Sequence, residues 1–156
     1  MATTPPPSSP APWAGPVYLE IQGPWSAKLL DGTKTVETRT YGLPSPLLNR
    51  SVLVLQSPEG TAGVTGLPDD LVPGEGAAAG LSVVAEVEFC ASEPYPDEAT
   101  WAADAGRHGV TPGVGYGWPA TGCVYGWVVA SIRPLPPKPL DVRLSRRLRS
   151  LFTESR

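Results

Sequence analysis

The sequence predicts an α+β domain built as a small mixed β-barrel, with short helices capping the barrel, a disordered N-terminus and a basic C-terminal helix. Three observations carry that expectation. Short β-branched or apolar runs recur between breaks that contain Gly and Pro. Their order is strand, helix, strand, strand, strand, helix, strand, which does not match repeated βαβ units. The 20 prolines and 17 glycines of the 156-residue chain are clustered, so a folded unit is expected to carry loose segments. The boundaries that follow are a Pro-rich tail over residues 1–16, a folded domain over 17–135 with a flexible insertion at 57–80, and a Pro-rich linker plus basic amphipathic helix over 136–156.

Each element has a local reason. Val17-Tyr18-Leu19-Glu20-Ile21 is β-rich and lies between Gly15-Pro16 and Gly23-Pro24, so it reads as a strand. Pro24 to Asp31 reads as a short helix, because proline is tolerated in a first turn where its missing N–H has no partner to lose. Trp25 and Leu29, with Ala27 and Leu30, give it an apolar stripe. Gly32 ends it as a residue able to adopt the left-handed conformation. Lys34 to Thr40 is rich in β-branched types, and strand alternation puts Lys34, Val36 and Thr38 on one face and Thr35, Glu37 and Arg39 on the other. Ser51–Gln56 is an apolar strand suited to a barrel interior. Leu81–Ser92 is a long strand in which Val83, Ala85, Val87 and Phe89 alternate against Ser82, Val84, Glu86 and Glu88. Asp97–Ala105 is a short helix with carboxylates in its first turn. Gly106–Gly122 is a glycine-rich loop, and Val124–Ile132 is the last strand, stopped by Pro134, Pro136, Pro137 and Pro139. Leu140, Leu144, Leu148, Leu151 and Phe152 form one helical stripe flanked by arginines.

Charge narrows the partners. The net charge is −3, but it is unevenly spread. Residues 1–132 hold five basic residues against thirteen carboxylates, and residues 133–156 hold seven against two. Affinity for duplex nucleic acid comes largely from neutralised phosphates. An acidic body therefore excludes a broad basic face, and any nucleic-acid contact is expected in a local pocket or in the basic tail. No apolar run approaches the ~20 residues that span a membrane, and Met1–Pro12 lacks the features of a secretory or transit signal. A soluble intracellular protein, cytoplasmic or nuclear, is the expectation. Cys90, Cys123 and the single histidine, His108, lack metal-ligand spacing, so two buried free thiols and no metal or cofactor are expected.

The stretch Gln22-Gly23-Pro24-Trp25-Ser26-Ala27-Lys28-Leu29-Leu30-Asp31-Gly32-Thr33-Lys34-Thr35-Val36-Glu37-Thr38-Arg39 resembles the signature of the ASCH (activating signal cointegrator homology) domain, within the PUA-like barrel superfamily. The family pattern is a strand, a Gln-Pro-Trp/Tyr-Ala entry to a helix, then Gly-x-Lys-x-x-Glu-x-Arg. Gly32, Lys34, Glu37 and Arg39 match that last motif in full, most like the eukaryotic EOLA-type ASCH proteins. Val84–Phe89 and Gly122–Val128 are similar to later family strands, so the resemblance spans Val17 to Leu135. Gly23 is an extra residue in the helix entry, and Ser57–Gly80 has no counterpart in the pattern. The resemblance implies a PUA-like barrel whose motif region faces RNA or a modified base.

Taken alone, two cations and a carboxylate within six residues also describe a solvated strand edge. Placement after a glycine turn favours a cleft, with Glu37 steadying the Lys34 ammonium and Arg39 offering a planar fork to a phosphate or carbonyl edge. Trp25, Tyr116 and Trp118 are the candidate stacking surfaces, each worth ~1–3 kcal/mol to a stacked base. The alternatives are core packing for Trp25 and loop anchoring for Tyr116 and Trp118. One family branch, the small bacterial acetylcytidine amidohydrolases, uses the motif lysine with a threonine three residues later and a distant glutamate. Lys34 is present here, Glu37 stands at the threonine position, and Glu86, Glu88 or Asp104 are candidates for the missing acid. Lys34 and Glu37 are therefore the catalytic candidates if the protein is an enzyme. Gly113–Trp118 lacks the flanking strand and helix of a dinucleotide loop. The expected functions are binding of RNA or a modified nucleoside at Lys34, Glu37 and Arg39, an amidohydrolase acting on acetylated cytidine or a related amide, or a protein-interaction and coregulator module acting through the C-terminal basic helix.

Overall fold

Residues 13–58, 67–110, 118–120 and 122–155 are described by the structure, a computed structural model. Strand β1 (Val17–Gln22) leads into helix α1 (Trp25–Leu30), strand β2 (Val36–Arg39), a 3₁₀ turn at Ser45–Leu47 and strand β3 (Ser51–Ser57). Strand β4 (Asp70–Leu71) and helix α2 (Pro73–Ala78) precede the long strand β5 (Ser82–Pro94). Helices α3 (Glu98–Ala103) and α4 (Ala105–His108) follow, then strand β6 (Tyr125–Pro139) and the hairpin strands β7 (Leu144–Leu148) and β8 (Leu151–Glu154). All eight strands join one sheet in the order β2-β6-β5-β3-β1-β8-β7-β4. β1 and β3 pair in parallel and the other neighbours are antiparallel. The sheet curls into a half-barrel with short helices around it, the small-barrel α+β class that the sequence predicts.

β1 is buried on both faces because the curled sheet separates two apolar clusters. Val17, Leu19 and Ile21 join Val52, Val54, Val87, Phe89 and Trp127, while Tyr18 points the other way, to Leu55, Leu81, Leu140, Leu144 and Phe152. A third, smaller cluster of Trp101, Val110 and Val124 sits under α3 and α4. α3 is fixed by Asp97, whose side chain accepts the Thr100 N–H at 2.7 Å, a conventional N-cap.

Six expectations are corrected. The prolines after Ile132 do not stop the last strand, which runs on to Pro139. Beyond Val128, β6 has lost β2 as a neighbour and pairs only with β5, so one side is an open edge where a missing N–H costs no ladder bond. Leu135, Pro136 and Pro137 lie inside a register shift opposite Val84, where the ladder is already broken. The basic amphipathic helix is a β-hairpin instead. β8 pairs with β1, with Val17 opposite Thr153 and Leu19 opposite Leu151, so the hairpin fills an edge that the half-barrel leaves open, and the folded domain runs past residue 135. Covering that edge overrides the local helical periodicity.

The insertion at 57–80 is ordered over residues 67–80. Leu71 is buried, and α2 lies so close to the hairpin side that a Cβ on Gly76 would fall 2.7 Å from Leu140 Cδ2. Residues 13–16 of the N-terminal tail are also anchored. Trp13 packs on the main core, and the Arg50 guanidinium donates to the carbonyls of Trp13 and Gly15. Both cysteines are exposed, not buried. Among the described residues, no helix is long and apolar enough to cross a membrane, and no cluster of His, Cys, Asp and Glu suits a metal ion.

The hairpin is part of the core, so truncating it should unfold the domain. We expect Phe152→Ala to lose about 3–5 kcal/mol of unfolding free energy, read from urea denaturation. A loss below 1 kcal/mol would mean that the hairpin is an appendage.

Candidate functional site

The site begins with the turn after α1. Gly32 takes φ +81°, the left-handed conformation that glycine adopts most cheaply. The Asp31 carboxylate accepts both the Thr33 N–H, at 2.8 Å, and the Thr33 hydroxyl, at 2.6 Å. The Lys34 N–H then bonds back to the Lys28 carbonyl and the Thr35 N–H crosses to the Arg107 carbonyl, which fixes the chain between α1 and α4. Lys34 lies just before β2 begins, so strand alternation does not separate it from Glu37.

Lys34, Glu37 and Arg39 come together. Lys34 Nζ lies 3.9 Å from Glu37 Oε2, and Arg39 Nε donates to Glu37 Oε1 at 3.3 Å. None of them is a solvated edge charge: Lys34 is 3% exposed, Glu37 5%, and Arg39 is half-buried. Lys34 Nζ donates to the His108 carbonyl at 2.5 Å. Arg39 donates through Nη1 to Ser150 Oγ at 2.8 Å and through Nη2 to the Glu20 carbonyl at 2.9 Å. Glu37 Oε2 is buried and accepts no hydrogen bond.

Burial decides the protonation of the lysine. Desolvation pulls the Lys34 ammonium below its ordinary range, and the nearby Glu37 carboxylate only partly restores it. Desolvation also works against the Arg39 charge. There the opposing pull of Glu37, Tyr41 and Glu20 is larger and holds the guanidinium above its usual value.

α3 and α4 supply the lysine's anchor. His108 is fully buried and stacks on Trp101 with centroids 5.0 Å apart. The Val110 N–H donates to His108 Nδ1 at 2.9 Å, and Nε2 faces the Trp101 carbonyl at 2.7 Å. An amide donor on Nδ1 requires the neutral Nε2–H tautomer. Burial pushes the imidazole below its ordinary value, helped by the Lys34 charge. The Asp104 carboxylate accepts from the Tyr95 hydroxyl at 2.5 Å and from Arg107 at 2.6 and 2.8 Å, which steadies the same helix pair.

Trp25 takes the core-packing alternative, with two lysines over its ring. It packs against the main core and against the Trp101 cluster, and its ring carries Lys28 Nζ at 4.6 Å and Lys34 Nζ at 5.4 Å from the centroid. Trp118 lies 6.1 Å from Trp101 and packs on that small cluster, the loop-anchoring alternative. Tyr116 lies outside the described residues. Of the acids considered for a catalytic role, Glu86 is taken by Ser51 and Arg133 on the outer surface, and Asp104 by Tyr95 and Arg107. Beside Glu37, a second buried acid acts on Arg39: Glu20, which the sequence places only within a strand. Ser150 and the His108 carbonyl are equally absent from any local pattern. They reach the motif from 111 and 74 residues away, and no spacing rule spans that distance.

No family model matches the chain, and no curated protein matches it in sequence. Solved structures do match in fold. An ASCH protein from Zymomonas mobilis superposes with a TM-score of 0.53 at 16% identity, over 84% of this chain and 87% of that one. Two point variants of the same protein give 0.58 at 17% identity, over 90% and 87%, and 0.54 at 17%, over 80% and 75%. The chain has the fold of these ASCH proteins.

His108 links the site to pH. An imidazole kept neutral in the fold costs stability once the unfolded chain can take up its proton near the ordinary value of about 6.5. Below that pH the unfolded state binds a proton that the folded state refuses, so stability should fall as pH drops from 7 toward 5. Denaturation curves across that range should show the decline, and His108→Gln should flatten it. An equal slope in both proteins would place the titration elsewhere.

Proposed function

We propose that the chain is a nucleic-acid-binding ASCH module, closest in its motif to the EOLA type, that takes a nucleobase of RNA or a modified nucleoside at Lys34, Glu37 and Arg39. The observation that carries this is the buried Glu37 Oε2, which faces a buried ammonium at 3.9 Å and accepts no hydrogen bond. A buried acceptor without a donor costs about 1–3 kcal/mol, and a ligand N–H relieves that cost. The cations beside it keep donors in hand. An ammonium has three N–H groups, of which Lys34 spends one on His108, and a guanidinium has five, of which Arg39 spends three. One acceptor flanked by spare donors matches the edge of a base that carries an amine or amide N–H beside a carbonyl. The Trp25 ring, already under two ammonium groups, offers a face for the base plane.

A second reading has its own support. A lysine held below its ordinary range by burial, beside a carboxylate with a free lone pair, is suited to proton transfer. Hydrolysis of N4-acetylcytidine would use water activated by Glu37 to attack the acetyl carbon, with Lys34 donating to the developing oxyanion, the C–N4 bond breaking and the proton passing from Glu37 to the leaving N4 amine, to give cytidine and acetate. Incubation with N4-acetylcytidine and chromatography of the products tests this; absence of cytidine from a well-folded sample removes the substrate.

For binding, the test is a thermal-shift titration with cytidine and N4-acetylcytidine on the unaltered protein, Lys34→Met and Glu37→Gln. These substitutions keep side-chain volume, whereas truncating Arg39 would strip Glu37 of its counter-ion and destabilise the fold. At a hundred times the dissociation constant a ligand adds about 2.7 kcal/mol, a clear rise in Tm. The rise should vanish in both variants. Equal rises in all three proteins would leave the motif a structural device.

A further inference from the structure

The cations among the described residues divide into those that a carboxylate neutralises and those that none does, and three of the second group, Lys28, Arg147 and Arg149, adjoin elements of the candidate site. Lys34, Arg39, Arg107, Arg133, Lys138, Arg143 and Arg146 each have a carboxylate within ion-pair distance. Lys28, Arg50, Arg147 and Arg149 have none among the described residues. Arg50 is occupied with the carbonyls of Trp13 and Gly15. Lys28 lies over the Trp25 ring, on which Lys34 also sits. Arg147 and Arg149 stand at the tip of the β7–β8 hairpin, and the next residue, Ser150, accepts from Arg39 Nη1 at 2.8 Å.

The hairpin tip is built to present these two side chains. Leu148 pairs with Leu151, so Arg149 and Ser150 alone make the turn. Arg149 takes φ +51°, a conformation that glycine or asparagine enters more easily than arginine. Its carbonyl is held by the Arg146 guanidinium, which Asp69 anchors in turn at 2.8 Å. Arg147 sits in the register shift between Arg146 and Leu148, its Nε fixed on Thr153 Oγ1 at 2.6 Å and the rest of its fork exposed. A strained turn carrying an arginine, next to an immobilised arginine that lacks a counter-ion, suits phosphate contact better than structural duty.

We propose that the ligand is a single-stranded RNA, one base of which enters the Lys34–Glu37–Arg39 site while the adjoining phosphates lie on Arg147 and Arg149 at the hairpin tip, with Lys28 on the Trp25 side. This rests on the nucleobase reading above and adds to it a polymeric ligand and its path. Residues 1–132 carry thirteen carboxylates against five basic residues, so a polyanion is steered toward the hairpin tip, where Arg147 and Arg149 have no ion-pair partner among the described residues.

The test is fluorescence anisotropy with a labelled ten-nucleotide, mixed-sequence single-stranded RNA across a salt series. It compares the unaltered protein, Arg147→Gln with Arg149→Asn, and Lys34→Met. The Arg147→Gln/Arg149→Asn protein keeps the turn, because asparagine tolerates the left-handed region, and its Tm checks folding. It should bind the oligonucleotide at least tenfold more weakly, with a salt slope shallower by about 1.4 for two lost phosphate contacts, while its thermal shift with cytidine or N4-acetylcytidine stays unchanged. Unchanged affinity and slope, no binding by the unaltered protein, or equally arginine-dependent binding of a ten-base-pair duplex would overturn the path proposed here. If Lys34→Met leaves both oligonucleotide affinity and nucleoside shift intact, the base-site reading fails on its own account.

Discussion

The Arg39 guanidinium joins parts of the sheet that the strand order keeps apart. β2, which carries it, is the first strand of the sheet, and β1 and β8 are the fifth and sixth. Through Nη2 it reaches the Glu20 carbonyl in β1, and through Nη1 it reaches Ser150 in the β7–β8 turn. One planar group thus spans the open side of the half-barrel. Tyr41 adds a second crossing nearby: its hydroxyl accepts the Ser150 N–H at 3.3 Å, and its carbonyl accepts the Trp127 indole N–H at 3.1 Å. Arginine suits this position because its donors are fixed in one plane and its charge survives burial, provided a carboxylate lies close by. Glu37 is that carboxylate.

The same arrangement keeps Lys34 from closing fully onto Glu37. A lysine and a glutamate three residues apart on a flexible surface would close into a hydrogen-bonded pair. Here the lysine's shortest bond is to the His108 carbonyl, and its distance to Glu37 stays at 3.9 Å. The carbonyls of His108 and Glu20 hold Lys34 and Arg39, so Glu37 pairs with Arg39 through Oε1 alone and its Oε2 is left without a hydrogen bond. Preorganisation of this kind places the reorganisation cost in folding and not in binding. Its price is visible in Lys34, whose ammonium is less stable buried than in water.

The motif was legible in the sequence because its information is local: four positions with fixed spacing, from a glycine turn into a short strand. The barrel class was legible for a related reason, since period-two runs such as Val83–Phe89 do not depend on distant partners. The C-terminal hairpin was not. Leu140, Leu144, Leu148, Leu151 and Phe152 fit a helical period, and the Arg149-Ser150 turn carries no glycine or asparagine to announce itself. Only the unfilled edge of β1 makes a strand the better solution there. The proline-rich stretch misled in the same way, because the argument against proline in a strand fails where the strand has one neighbour. Glu20 and Ser150 belong to the site solely through tertiary contacts, and a single sequence holds no signal for those.

Closure of the barrel and the phosphate contact proposed above fall on one hairpin. Ser150 receives Arg39, while Arg147 and Arg149, on either side of Leu148, are exposed and have no ion-pair partner among the described residues. Two hydrogen bonds, Arg39 to Ser150 and Arg39 to Glu37, connect the exposed turn to the buried carboxylate. The β7–β8 edge is in turn restrained by ion pairs of Arg143 with Asp70 and Arg146 with Asp69. Exposed pairs of this kind are individually weak and are screened by salt, so high ionic strength loosens the edge that supports the tip while it also weakens any phosphate contact. Both effects act in the same direction. The motif and the hairpin, distant in sequence, thus form one physical unit in the fold.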